Sequence, residues 1–137
     1  MGQQQLLLIV LSVIIVGIAV VVGINMFSAS AASANLEAVT GDLMNLAARA
    51  QQYYVKPAGM GGGGNSFNGL TIKDLTPKAK NENGTYFVEE PSGSTVKLIG
   101  VGTQDGDGDG KPCAVTVTVN MAAKNDESKI TTKIDNR

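Results

Sequence analysis

The chain has 137 residues, enough for one domain, and carries 11 basic and 12 acidic side chains with no histidine. A formal net charge of −1 leaves no basic excess to drive general binding to nucleic acid. The missing histidine and the single cysteine, Cys113, exclude His-dependent triads, a disulfide within the chain and a multi-cysteine zinc site, so the composition does not point to an enzyme.

The distribution of charge says more than its total. All 23 charged residues lie at or after Glu37. Within the uncharged stretch, residues 6–24 read LLLIVLSVIIVGIAVVVGI, 19 residues interrupted only by Ser12, Gly17 and Gly23. As a helix this run is about 28 Å long, close to the hydrocarbon thickness of a bilayer. Its apolar residues surround the axis and leave no face suited to water, so lipid or other apolar helices must cover it. Three readings compete. A cleaved secretory signal fits the small residues at 29–31 and 32–34, but the run exceeds the usual apolar core of a signal and residues 1–5 contain no Lys or Arg. A plain single-span anchor normally has basic residues beside its cytoplasmic end, and none occurs before Arg49. The third reading is a helix that leaves the membrane and packs in a polymer.

Further along, Leu36, Val39, Leu43, Leu46, Ala47, Ala50 and Tyr54 recur at spacings of three and four and draw one apolar stripe on a helix. Glu37, Asp42, Asn45, Arg49 and Gln52 occupy the opposite, polar face. Nothing between residues 27 and 35 breaks a helix, so a single helix is expected from near Gln5 to near Val55. Pro57 stops it, because a residue before proline avoids the α region. Residues 57–69, PAGMGGGGNSFNG, form a loop too rich in glycine for regular structure and lack the ending of a phosphate-binding loop.

Strand signals follow at 85–89, 95–101, 114–120 and 130–134, with turns at 91–94 and 104–112. The alternation in residues 114–120 puts Val115, Val117 and Val119 on one face. The expected fold class is α+β: a long N-terminal helix, apolar in its first half and amphipathic in its second, packed on a small C-terminal antiparallel sheet of three or four strands. The expected division is residues 1–30, the hydrophobic helix, and residues 31–137, the rest of the helix with the β-rich head.

This layout resembles the type IV pilins and their relatives, among them secretion pseudopilins and archaeal adhesion filaments. The resemblance rests on Met1, the uncharged run from Leu6, the continuous helix, the loop and the β-rich head, and at residue level on the first 30 or so positions. It implies a structural subunit, not an enzyme, that sits in the cytoplasmic membrane as a precursor and then joins an extracellular filament for adhesion, motility or uptake. It implies that Met1 is the processed, methylated N-terminal residue, and that partners are identical subunits and a pilus assembly machinery. The family usually has Glu at the fifth position, where this sequence has Gln5; an amide accepts a hydrogen bond from an ammonium without neutralising its charge. Gln5, Leu6, Leu8, Ile15, Gly17 and Gly23 are the candidate assembly residues. A pseudopilin of a secretion system and a membrane-tethered extracytoplasmic binding module are the alternatives.

Two local motifs stand apart. Asp105, Asp107 and Asp109 alternate with glycines and match the opening of a calcium loop, although the twelfth position is Thr116 instead of Glu. Calcium is therefore one candidate cofactor, and a solvated hairpin tip is the other reading. Asn83-Gly84-Thr85 fits the N-x-T glycan acceptor and also a turn signal. Cys113, at a strand entrance, is expected to act as a small buried hydrophobe.

Overall fold

The computed structural model describes residues 2–106, 108–122 and 129–136. Helix α1 runs unbroken over Gly2–Val55, as the apolar run and the following stripe require. Fifty-four residues make a rod of about 80 Å. It ends immediately before Lys56-Pro57, and a 3-10 turn at Ala58–Met60 opens the glycine-rich loop. A four-residue helix α2, Ile72–Leu75, follows; Thr71 and Asp74 form a capping box at its start, a T-x-x-D signal carried by the sequence but not among the expected elements.

Four strands then form one antiparallel sheet in the order β1-β2-β3-β4, with β1 at Gly84–Ser92, β2 at Thr95–Gly102, β3 at Ala114–Asn120 and β4 at Ile130–Asn136. The fold is α+β, as the sequence implied. The sheet's inner face lies on the second half of α1, which crosses the central strands β2 and β3. The stripe supplies the contact: Val39, Leu43, Leu46, Ala47 and Ala50 are buried, with Leu36 and Tyr54 packed at the margins. Opposite them stand Val96 and Leu98 from β2 and Val115, Val117 and Val119 from β3, all fully buried. Phe67, Leu70 and Leu75 from the loop region close the far end, Phe67 against Tyr54 with ring centroids 5.0 Å apart.

Glycines let the helix approach β2 this closely. A Cβ on Gly100 would stand 2.6 Å from Val39 Cγ1, and one on Gly102 would stand 2.2 Å from Asn35 Oδ1 and 2.4 Å from Cys113 Sγ. A Cβ on Gly84 would meet the Val101 carbonyl oxygen at an equally impossible 2.2 Å. The Asn83-Gly84 dipeptide closes a tight turn at residues 81–84, across which Lys80 bridges Thr85, and opens β1 at close approach to β2. Cys113 is fully buried, and burial raises its thiol pKa, in keeping with its expected role as a small hydrophobe. Gly102→Ala forces the Asn35 side chain or the Cys113 sulfur to move. Thermal unfolding of the full chain in detergent should show a loss of about 1–3 kcal/mol, whereas Gly41→Ala, whose Cβ meets nothing within 4 Å, should be neutral or stabilising.

Candidate functional site

The feature with the clearest physical demand is the first half of α1. Every large apolar side chain from Leu6 to Phe27 is exposed, between 49% and 76% of its surface. The segment is long and apolar enough to cross a membrane, and none of its most apolar window is buried by the chain itself. Leu6, Leu8 and Ile15 all lie on this surface. Gly17 and Gly23 have no neighbour within 4 Å of where a Cβ would stand, so nothing in this chain's own packing requires them to be glycine. Ser12 satisfies its hydroxyl internally by donating to the Leu8 carbonyl at 2.7 Å, which lets one polar residue sit in an apolar rod. Gln3, Gln4 and Gln5 are exposed in the first turn, which has no acidic residue. Met1 lies outside the described residues.

Where the bare rod enters the head, one side chain joins three segments. Asn35 donates from Nδ2 to the Asn83 carbonyl at 2.8 Å. Its Oδ1 accepts from the backbone N–H groups of Thr103 (2.9 Å) and Gln104 (3.3 Å), and from the Cys113 thiol at 3.1 Å. Two helical turns on, the Asp42 carboxylate takes three hydrogen bonds on Oδ2: from Asn81 and Asn83 Nδ2, each at 2.9 Å, and from the Tyr86 hydroxyl at 2.5 Å. Arg49 Nη1 donates to the Leu75 carbonyl at 2.7 Å and holds the end of α2. Asp42 and Arg49 read from the sequence as solvent-facing polar residues. Both instead tie the helix to the head, because the loop before β1 folds back over that flank.

The pKa shifts follow from this geometry. Burial alone would raise the Asp42 pKa, but the bonds from Asn83, Tyr86 and Asn81 outweigh it and bring it below the ordinary aspartate value. Burial, then the hydrogen bond to Asp42 and its negative charge, hold the Tyr86 phenol protonated well beyond its usual range.

The two local motifs are used in the fold. The Asn83 side-chain nitrogen, the atom a glycan would take, donates to Asp42. In the aspartate loop, Asp105 accepts from the backbone N–H groups of Gly108 (2.8 Å) and Gly110 (2.7 Å), and Asp109 from that of Lys111 at 2.8 Å. These carboxylates thus close the loop on itself. Asp107 lies outside the described residues, and among the described residues no group of three or more His, Cys, Asp or Glu is arranged to hold a metal ion. Comparison with known proteins adds no relative: no family model, no curated protein and no solved structure matches the chain.

The Asp42 junction makes a concrete demand. Asp42→Ala leaves Asn81, Asn83 and the buried Tyr86 hydroxyl without their acceptor and should cost about 2–3 kcal/mol in thermal unfolding. A depressed carboxylate pKa contributes stability that is present above the ordinary aspartate range, near pH 4, and is lost as pH falls through the lower folded value. The native chain should therefore lose stability more steeply than Asp42→Ala as pH is lowered below about 4.

Proposed function

We propose that the chain is the structural subunit of an extracellular filament of the type IV pilus kind. It is held in the cytoplasmic membrane by residues 6–24 before assembly and polymerises through the same surface afterwards. The observation that carries this reading is the continuity of α1: the apolar rod and the helix gripped by the sheet are one unbroken element. A tethered binding module works as well, or better, on a loose linker. A regular polymer needs each head at a fixed height and rotation relative to the rod that packs in its core, and an uninterrupted helix provides that.

The energetics agree with a transfer between two apolar surroundings. Covering about 19 side chains at roughly 1.5 kcal/mol or more each is worth tens of kcal/mol relative to water. Lipid is as apolar as leucine, so relative to the membrane the net gain is far smaller and rests on close van der Waals packing between helices. Gly17 and Gly23, with open space where a Cβ would be, suit close approach of another copy's backbone. Heterologous contacts that do not close into a ring then produce an open helical filament. In this reading Gln5 contributes hydrogen bonds without charge. The chemistry is association, with adhesion, motility or uptake as the cellular use.

Leu8→Lys and Ile15→Lys each place an ammonium on the surface that must be covered, at about 2.5–3.5 kcal/mol even in the more forgiving setting of a bilayer. Negative-stain microscopy of sheared cell surfaces should show filaments from the native chain and none from either variant, with the head's secondary structure retained in detergent. Normal filaments from both variants would overturn the proposal. A native chain recovered only as a detergent-soluble monomer would support the tethered module instead.

A further inference from the structure

The head separates its charges along the helix axis. Among the described residues, the half nearest the bare rod holds Glu37, Asp42, Glu82, Asp105, Asp109 and Asp135 against Lys80, Lys111 and Lys133. The far half holds Arg49, Lys56, Lys73, Lys78, Lys97 and Lys129 against Asp74, Glu89 and Glu90. The fold dictates this division. Asn35 fixes the start of β1 and the loop after β2 beside the rod, and β4 returns toward that end, Asn136 opposite Ala114. At the other end, Arg49 holds α2, and β1 and β2 meet near Phe67 through its bond to the Gly93 carbonyl. The described charges are balanced overall but divide into a net −3 near half and a net +3 far half.

This separation does little within one molecule. Glu37 and Lys56 are about 28 Å apart along the helix, several times the screening length of about 8 Å at physiological ionic strength. It matters only when two heads touch. Copies side by side at one level would set like charge on like, which is costly on contact. Copies displaced along the axis by about half the height of a head would set the positive far half of one against the negative near half of the next.

We infer that this pairing of unlike ends between displaced copies of the chain is a second polymer contact, on the outside of the filament, additional to the apolar one within. The partner is a second copy, favoured over other ligands because the described residues of the two ends carry net charges of opposite sign on one chain. The inference rests on the filament reading. It adds to that reading the axial offset between contacting heads and a dependence of filament stability on salt.

The test uses sheared filaments of the full chain, warmed at rising NaCl and scored by the fraction that still pellets. Native filaments should weaken steadily toward about 1 M salt, where the screening length is about 3 Å. Reversing the far half with Lys56→Glu and Lys73→Glu, both exposed and outside the hydrophobic core, should cut filament yield more than about tenfold, since like charges then meet. Adding Glu37→Lys and Glu82→Lys to that chain sets unlike charge on unlike again, now with the signs exchanged and smaller in size, and should recover a measurable part of the filaments. Unfolding of each variant in detergent separates loss of assembly from loss of the head. Native filaments indifferent to salt, a far-half reversal that assembles normally, or a fourfold variant that folds without regaining filaments would each overturn the inference while leaving the apolar polymer intact. Absence of filaments from the native chain would instead remove the filament reading beneath it.

Discussion

A helical surface about 30 Å long, apolar all round and covered by none of the described residues, is the constraint on which the rest depends. Water cannot be its neighbour. Lipid satisfies it and so do equivalent helices, and in the filament we propose the small free-energy difference between those two settings would let one surface serve first as an anchor and then as a core. The absence of any charge before Glu37 is the sequence form of the same requirement, since a single ammonium or carboxylate on the rod would be costly in either place.

The head is built on the second half of the same helix. Its core is thin: one stripe of α1 against the inner faces of β2 and β3, with Gly100 and Gly102 removing the side chains that would keep helix and sheet apart. Polar side chains fix the direction. Asn35 locks the helix to the ends of three segments at the point where it leaves the head, and Asp42 gathers three donors from the loop and strand that pass over its flank. Because both residues belong to the helix, their hydrogen bonds tie the head's orientation to that of the rod.

Much of this was legible in the sequence where a single physical term dominates. Hydrophobicity without periodicity marked residues 6–24, the three-and-four spacing marked the gripped half, and strict alternation in residues 114–120 placed three valines inward. The roles of Asn35 and Asp42 were not legible, because their partners lie 39 to 78 residues away and only the folded loop brings them together. Asp42 carries the same local signal as a solvated charge on a helix face. Gly84 read as part of a turn signal and Gly102 fell just past an expected strand, and their close contacts appear only once the strand register is known. In the aspartate loop the spacing of a cation site is also the spacing of turns in which a carboxylate accepts backbone N–H groups, and Asp105 and Asp109 are used in that way.

The central claim is that the bare half of α1 exchanges lipid for copies of itself. A spin label at residue 15, introduced as Ile15→Cys in a Cys113→Ser background, reads this directly. Diluted in membranes the label should report lipid contact and no neighbouring spins; in sheared filaments it should lose access to lipid-soluble quenchers and show dipolar broadening from adjacent copies. A label in the assembled material with the same quencher access as in the membrane, and no broadening, would contradict the account.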